Sequence, residues 1–325
     1  MCLTFRVPET DNITTFAESV GYVWHVEEDL FVPGNILFSD NYALKTTDGM
    51  KASVIVGHSQ FLGFRNGHGA TARFGHIRSF IQLSAIEAVL LDTGNRCLRR
   101  VDRRTNVTTT YAGECGKRGY RDGVDALFYN PLSLTWDSKN SSQLILSENI
   151  NASLRTVEIP GQRKVSTLLR HAPANIGCLL QESTTGDIYL TVGNAIGLFY
   201  YHSEKLTIIA GTADISGHYD GPFSLMLLSA PLEMQLFGPN HIVVADYGNS
   251  RLRILDMTTN TSSSICTGVQ GYEDGNNSTC QLTHPSALGW IHDTLYVGEY
   301  LRIRSLNYKG KAGYSCCYQF WNYVC

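Results

Sequence analysis

The stretch Asp92-Thr-Gly-Asn-Arg-Cys-Leu-Arg-Arg-Val-Asp102 decides the fold, because it recurs in close form as Asp246-Tyr-Gly-Asn-Ser-Arg-Leu-Arg-Ile-Leu-Asp256. Weaker copies are Glu148-Asn-Ile-Asn-Ala-Ser-Leu-Arg155 and Glu299-Tyr-Leu-Arg-Ile-Arg304. An Asp that can bond its own backbone, followed by a Gly or Asn that tolerates positive φ, predicts a tight hairpin between two strands. A hairpin that returns along the chain predicts a repeat protein.

A second recurring signal is a short β-branched run that ends in glycine and is followed by a glycine-rich loop. These glycines are Gly57, Gly113, Gly211 and Gly268, at spacings of 56, 98 and 57 residues. The loops end in Asn66-Gly67, Asp122-Gly123, Asp220-Gly221 and Asp274-Gly275. The wide middle gap therefore holds two units of about 49 residues each. The second of them is degenerate, with Asp187–Leu190 and Leu198–Tyr201 as strands but no Asp-Gly loop.

Each unit contains four short alternating runs separated by turn residues. In the third unit they are Leu132–Trp136, Gln143–Leu146, Leu154–Ile159 and Val165–Leu169. Runs of about five residues rich in Val, Ile, Leu, Thr and Tyr are typical of strands, and almost no helix is predicted. Four-stranded antiparallel units at this spacing predict an all-β, six-bladed β-propeller over residues 1–310. The predicted blades are 20–57, 58–113, 114–170, 171–211, 212–268 and 269–310.

Closure of the ring is predicted from the N-terminal segment. Asn12-Ile-Thr-Thr-Phe16 resembles Asn106-Val-Thr-Thr-Thr110, the outer strand of its blade, although it precedes the first blade. Residues 12–17 are therefore expected to form the outer strand of the sixth blade, paired near Leu301–Leu306, which leaves no open sheet edge. In the alternative, the tail from Tyr314 closes the blade and the N-terminus is the remnant of an upstream repeat. In the favoured prediction, residues 311–325 are a Cys-rich C-terminal tail that follows the propeller.

Together these motifs resemble the NHL-repeat family of β-propellers: the Asp-x-Gly-Asn turn, the Arg-rich third strand, Ala-Gly, the Gly-aromatic-x-Asp-Gly loop and Phe-x-x-Pro. The resemblance covers about residues 20–308, is strongest in the second, third and fifth units, and fails in the fourth. It implies the propeller fold, with ligands bound over the central channel.

The compartment is predicted from possible modification sites. The chain has seven Asn-x-Ser/Thr sequons, more than we expect by chance, which favours a glycosylated protein of the extracellular space or the secretory-pathway lumen. They are at Asn12, Asn106, Asn140, Asn151, Asn260, Asn276 and Asn277. Met1–Asn12 lacks the basic and apolar regions of a signal peptide, so the chain is interpreted as a processed or truncated piece. No apolar run reaches the length of a membrane span.

The nine cysteines support an oxidising compartment. The expected bridges are local, Cys97 with Cys115 and Cys266 with Cys280, plus one within the tail. Cys178 is expected to be a buried free thiol because it lies in an apolar run. Zinc ligation is disfavoured, since the tail pair Cys316 and Cys317 is adjacent and no Cys-x-x-Cys occurs.

A candidate ligand site follows from aligning the blades by their Asp-Gly loops. This alignment places His76, Asn130, Asn175 and His284 in one column just before the innermost strands, with Ala230 in the fifth blade. The column predicts a polar ring over the channel; alternatively, each side chain only satisfies backbone groups at a strand start. Amidating lyases are NHL-like propellers with three zinc-binding histidines at the channel. This chain offers two of them, His76 and His284, in blades that are not neighbours.

Other functions are weighed on charge and motif. The net charge of −3, with acids and bases interspersed, disfavours nucleic acid. Binding of single-stranded RNA, known among NHL propellers, is kept as an alternative because five arginines cluster between Arg96 and Arg104. Glu27-Glu28-Asp29 is interpreted as a solvated turn rather than as a calcium site. The favoured function is non-catalytic binding of a protein or glycan on the channel face, without a cofactor or metal. A metal-dependent lyase or hydrolase is the alternative.

Overall fold

Six small antiparallel sheets make up the protein, which we describe from a computed structural model over residues 12–238 and 240–307. The described chain enters through β1 (Ile13–Tyr22), which belongs to the last blade. The first blade consists of β2 (His25–Glu28), β3 (Ile36–Ser39), β4 (Ala43–Thr47) and β5 (Ala52–Gly57). The second consists of β6 (Gly67–His68), β7 (Ile77–Ser84), β8 (Glu87–Asp92), β9 (Cys97–Asp102) and β10 (Val107–Ala112).

The remaining blades repeat this order. The third consists of β11 (Pro131–Trp136), β12 (Gln143–Glu148), β13 (Ser153–Glu158) and β14 (Val165–Leu169). The fourth consists of β15 (Ile176–Gln181), β16 (Ile188–Val192), β17 (Ala195–Tyr200) and β18 (Lys205–Gly211). The fifth consists of β19 (Gly221–Pro222), β20 (Pro231–Leu236), β21 (His241–Asp246), β22 (Arg251–Asp256) and β23 (Thr261–Ile265). The sixth consists of β24 (Ala287–Ile291), β25 (Thr294–Asn307) and β1.

The sheets form a closed ring. Each innermost strand contacts the innermost strands of both neighbouring blades, in the order β2, β7, β11, β15, β20, β24 and back to β2. Six apolar clusters lie between the blades, one at each interface; the cluster between the second and third blades, for example, joins Leu91 to Leu146. A blade therefore buries its two faces only against its neighbours, which explains why the repeat needs the ring. The predicted all-β six-bladed propeller is confirmed, and helix is limited to three 3-10 turns among the described residues.

The N-terminal closure is also confirmed. Strand β1 pairs antiparallel with β25, with Ile13 opposite Leu306 and Ala17 opposite Ile303. Strand β25 folds back on itself at Leu301, which has a φ of 66°, and the Thr294 hydroxyl donates to Asn307 at 3.0 Å. It thus supplies both middle strands of the sixth blade. The Cys-rich tail of residues 311–325, and with it the alternative closure from Tyr314, lies outside the described residues.

The two recurring sequence motifs meet in space. A fully buried arginine in the third strand of a blade pairs with the carboxylate that ends the second strand, as Arg253 pairs with Asp246 at 3.0 Å. The same guanidinium binds the Asp-Gly loop through Asp220 at 2.7 Å. Arg99, Arg155 and Arg304 repeat this arrangement in their own blades. The glycine of the loop permits the backbone that this contact needs, since Gly221 has a φ of 126°.

The fourth blade lacks this arrangement because its hairpin is shorter. Val192 stands opposite Ala195 where other blades hold the carboxylate, and Gly197 occupies the arginine position two residues later. A Cβ on Gly197 would lie 2.9 Å from the Val192 side chain. The buried ion pair is therefore replaced as a unit by apolar contact, which accounts for the degenerate sequence of this blade.

Two sequence interpretations are corrected. In the Asp-x-Gly-Asn turn the positive φ falls on Arg96 (57°), not on Gly94 or Asn95. Gly94 is required instead because a Cβ there would come within 2.5 Å of the Gly75 backbone. Glu27-Glu28-Asp29 is not a solvated turn: Asp29 is fully buried, where it pairs with Arg103 at 3.0 Å.

The predicted local disulfides are confirmed, with Cys97 bonded to Cys115 and Cys266 to Cys280. Cys178 is a buried free thiol, as expected. The remaining four cysteines lie outside the described residues. Among the residues that are described, no helix has the length and apolar character needed to cross a membrane.

Candidate functional site

The candidate site is the end of the central channel at which the innermost strands begin, which we call the mouth. In an up-and-down blade the first and third strands run away from the mouth and the second and fourth return. The turns between second and third strands therefore also lie at the mouth. The turns between first and second strands and between third and fourth strands lie at the opposite end, which we call the far face.

The predicted polar column is only partly gathered at the channel. His76, Asn130, Asn175 and Ala230 each immediately precede an innermost strand, and His284 lies three residues before β24. Of the four predicted ligand-binding residues, Asn175 lines the central cavity. The other three belong to its rim, and no observation assigns them a ligand.

The two rim histidines are held by aromatic neighbours. His76 lies edge-on to Trp24, with ring centroids 4.9 Å apart, and burial, aided by the charge of Arg78, lowers the pKa of His76 to about 4. His284 stacks on Tyr247 at 4.7 Å, and its Nδ1 donates to the Tyr247 carbonyl at 3.1 Å. Within residues 12–238 and 240–307 no three His, Cys, Asp or Glu side chains come close enough to hold a metal ion.

A cavity of about 190 Å³ opens at the mouth. Its wall combines hydroxyl, amide and charged side chains from the strand starts and turns of several blades. The polar lining residues are Arg78, Ser79, Ser133, Asn149, Asn175, Thr191, Glu233 and Ser286. Several of these hydroxyls already bind the backbone, as Ser133 accepts from Leu179 at 3.2 Å.

A stack of three side chains fixes Arg78 in the cavity wall. Tyr22 lies parallel to Trp24 at 4.4 Å, and the Arg78 guanidinium carbon lies 4.0 Å from the Trp24 ring centroid. Because both are so close to one ring, they occupy its opposite faces. The Trp24 indole is held in turn by donating to Asn41 at 2.7 Å. Such a stack leaves the N–H groups along the edge of a guanidinium free.

Those N–H groups have no protein partner. Arg78 makes neither a hydrogen bond nor an ion pair with any other described residue, and Ser79 Oγ beside it is buried without a partner. Burial lowers the pKa of Arg78 to about 10, although nearby Glu233 opposes the shift. The guanidinium therefore remains charged at neutral pH, and Arg78 as a whole is half-buried.

Glu233 does not neutralise Arg78 by direct contact. Its carboxylate accepts a hydrogen bond from the Cys178 thiol at 3.0 Å, and burial raises the pKa of Glu233. Burial also raises the pKa of the Cys178 thiol well above its usual range. The thiol therefore stays protonated and lacks the thiolate character of a catalytic cysteine.

A hydrogen-bonded cluster lies on the innermost strands of the first and second blades. His25 Nε2 lies 3.2 Å from Glu27, whose other oxygen accepts from Gln82 at 2.9 Å. Burial lowers the pKa of His25, but Glu27 and Glu233 outweigh that effect and the pKa is raised overall. These two carboxylates favour the charged form of the His25 imidazole, and the direct contact with Glu27 distinguishes His25 from Arg78.

Sequence reasoning missed Trp24, Arg78 and Glu233. Alignment of the innermost strands could have found Arg78. The equivalent residues in three other blades are Leu132, Gly177 and Leu232. A charged side chain where the other blades have an apolar or small residue indicates that this position has a role beyond packing of the blade. The clustered arginines, by contrast, are largely engaged, since Arg99, Arg100 and Arg103 all form ion pairs.

The sequons are unevenly distributed between the two faces. Asn106 and Asn260 lie in turns between third and fourth strands and Asn140 between first and second strands, all at the far face. Asn12 immediately precedes β1, and Asn276 and Asn277 follow Gly275, which pairs with Ile13 at the same end. Only Asn151 lies in a turn at the mouth, and its amide nitrogen is buried.

Comparisons with known proteins show the fold alone. No protein-family profile matches the sequence, and no curated protein is significantly similar to it. An auxiliary nutrient binding protein from Bacteroides thetaiotaomicron is similar in structure, with a TM-score of 0.72 and 13% identity over 93% of this chain and 77% of that one. A streptogramin B lyase has a TM-score of 0.57 at 12% identity, covering 93% and 99% of the two chains. A protein described as a gluconolactonase has a TM-score of 0.60 at 11% identity, covering 92% and 93%. The similar structures are thus β-propellers that include both binding proteins and enzymes.

Proposed function

We propose that this chain is an extracellular binding propeller of the NHL type, which recognises a protein or glycan ligand at the mouth of its channel. One observation carries the proposal: the mouth cavity contains polar groups that the described protein leaves unpaired. These are the Arg78 guanidinium, the Ser79 hydroxyl and the side-chain amide of Asn175.

Of these groups the Ser79 hydroxyl is fully buried, whereas Arg78 is half-buried and Asn175 is exposed, so the cost of desolvation falls on Ser79 and, in part, on Arg78. A buried polar group without a hydrogen-bond partner costs about 1–3 kcal/mol, and more if it is charged. The fully buried Arg253, by contrast, has every nitrogen of its guanidinium hydrogen-bonded. A ligand that supplies the missing acceptors explains why the mouth retains these groups.

The two faces of the ring support an extracellular location with the mouth as the binding surface. Disulfides are typical of oxidising compartments, and the described residues contain two, each between cysteines that are close in sequence. Glycans at the far-face sequons Asn106, Asn140 and Asn260 would point away from the mouth. The neighbours named as nutrient binding proteins are compatible with binding at a propeller surface, although at 13% identity they carry only the fold.

The proposal is tested by closing the cavity. Asn175→Trp adds a bulky side chain at an exposed position whose amide makes no side-chain hydrogen bond, so the fold is expected to persist. Ser141→Trp is the matched control, because Ser141 lines a separate groove that reaches the far face. The secreted protein and both variants are applied to arrays of glycans and peptides.

We expect array ligands of the wild type to be lost in Asn175→Trp and retained in Ser141→Trp. Ligands that survive Asn175→Trp but disappear in Ser141→Trp would place the binding surface elsewhere. Absence of any bound ligand in the folded wild type would also count against the proposal.

A further inference from the structure

We infer that the group recognised by Arg78 is the carboxylate of an acidic sugar, held as a single ring in the mouth cavity. This inference rests on the proposed function and names the class of its ligand. It is carried by the free edge of one guanidinium and by the hydroxyl and amide character of the wall around it.

The stack orients the guanidinium before any ligand arrives. Trp24 covers one face of Arg78 at 4.0 Å and is itself fixed by Tyr22 and by Asn41. A planar guanidinium with free N–H groups in a fork matches a planar carboxylate, with two parallel hydrogen bonds. Because the side chain is already immobilised, binding such an anion costs little rotamer entropy.

The charge around Arg78 is incompletely compensated. The titratable groups that act on it are Glu233, Tyr22, Tyr247 and Cys178. Burial raises the pKa of both Tyr22 and Cys178, which keeps these two groups neutral, and Glu233 is hydrogen-bonded to Cys178 at 3.0 Å instead of to the arginine. His76, which lies edge-on to Trp24, is neutral above its low pKa of about 4. An anionic ligand therefore supplies the negative charge that no protein carboxylate places in contact with Arg78.

The cavity wall combines hydroxyl and amide groups with apolar surface, as a sugar ring combines hydroxyls at its edge with apolar faces. Ser79 and Asn175 offer polar groups without protein partners, and the Asn149 amide donates once, to the Ile176 carbonyl at 3.2 Å, so its oxygen remains able to accept. Scattered hydroxyl and amide groups pair with the several hydroxyls of a sugar. The volume of about 190 Å³ equals the space of about six water molecules, enough for one ring.

The test compares glucuronate with glucose, which carries a hydroxymethyl group in place of the carboxylate, and with two carboxylates that lack the sugar ring. Glucuronate, glucose and acetate are titrated into the folded protein by calorimetry, together with a short peptide ending in glutamate. Arg78→Met removes the charge at similar length, and Arg78→Lys keeps the charge but loses the fork. Arg302→Met is the control, because Arg302 also lies over an aromatic ring, Tyr272 at 4.1 Å, but belongs to β25 of the sixth blade and does not line the cavity. Thermal unfolding confirms that each variant is folded.

We expect glucuronate to bind about 10- to 100-fold more tightly than glucose, since a charge-assisted hydrogen bond contributes about 1.5–3 kcal/mol. Arg78→Met should remove this preference, Arg78→Lys should retain part of it, and Arg302→Met should leave it unchanged. Equal binding of glucose and glucuronate, or glucuronate binding that survives Arg78→Met, would overturn the inference. Arg78-dependent binding of the peptide without binding of glucuronate would overturn it as well.

The outcomes separate this inference from the proposed function. If an array ligand is lost in Asn175→Trp but unaffected by Arg78→Met, the mouth binds ligands and only the acidic-sugar assignment fails. If no ligand depends on Asn175, both fail together.

Discussion

Two arginines of the second blade, Arg99 and Arg78, show how differently the blade interior and the channel treat the same side chain. Arg99 is fully buried, pairs with Asp92 at 3.0 Å and donates to Asn66 at 2.8 Å. Arg78 is also stacked on an aromatic ring, yet has no partner for its N–H groups among the described residues. Arg99 leaves only its Nε unpaired, whereas Arg78 leaves its whole guanidinium unpaired, so the contrast between them points to a ligand at Arg78.

The largest effect is expected where the interior arginine is removed. Arg253→Met leaves the fully buried Asp246 without its charged partner, and we expect a loss of about 3–5 kcal/mol in the free energy of unfolding. The double variant Arg253→Met with Asp246→Val imitates the fourth blade and should recover most of that loss. Urea unfolding measures both. A loss below about 1 kcal/mol in the single variant would show that the pair does not hold the blade together.

A second, intermediate effect concerns the histidine that packs on the Arg78 stack. The pKa of His76 lies near 4, below its usual 6.5. Between these two pH values His76 is therefore protonated in the unfolded chain and neutral in the folded protein. Stability is therefore full above pH 6.5 and falls as the pH falls toward 4. Between pH 7 and pH 4.5 the wild type should lose about 2 kcal/mol more than His76→Phe. Parallel pH profiles of unfolding in the two proteins would contradict this account of the rim.

The smallest effect is expected for an arginine whose ion-pair partner is exposed. It shows how much such an arginine contributes to stability, in comparison with Arg99 and Arg78. Arg302 pairs with Glu18 at 3.1 Å, and the Glu18 side chain is 60% exposed. Exposed pairs contribute about 0–1 kcal/mol, so Arg302→Met should change the free energy of unfolding by less than 1 kcal/mol. A larger loss would mean that stacking on Tyr272 contributes more than the ion pair.

The fold was predictable because its determinants are repeated. The Asp92 and Asp246 turns and the Asp-Gly loops recur, so the blade count and the closure by Ile13 follow from comparing copies. What no single copy reveals is that the turn carboxylate and the loop share one arginine, because they are joined only through packing. Asp29 was misjudged for the same reason, since its partner Arg103 comes from the next blade.

The site was predicted less well because it has no repeat to reveal it. Asn175 was found from its position before a strand, and it lines the cavity. Arg78 and Glu233 come from inner strands in which one charged side chain looks like any alternating residue. Only closure of the ring brings these two residues, from the second and fifth blades, to the same cavity.

Whether Arg78 is held ready for a ligand is tested most directly by measuring the unfolding of Arg78→Met and Arg99→Met side by side in urea, without ligand. We predict that Arg99→Met loses about 3–5 kcal/mol, whereas Arg78→Met changes the free energy of unfolding by less than about 1 kcal/mol or raises it. If Arg78→Met is destabilised as much as Arg99→Met, Arg78 is a structural residue of the channel and is not held ready for a ligand.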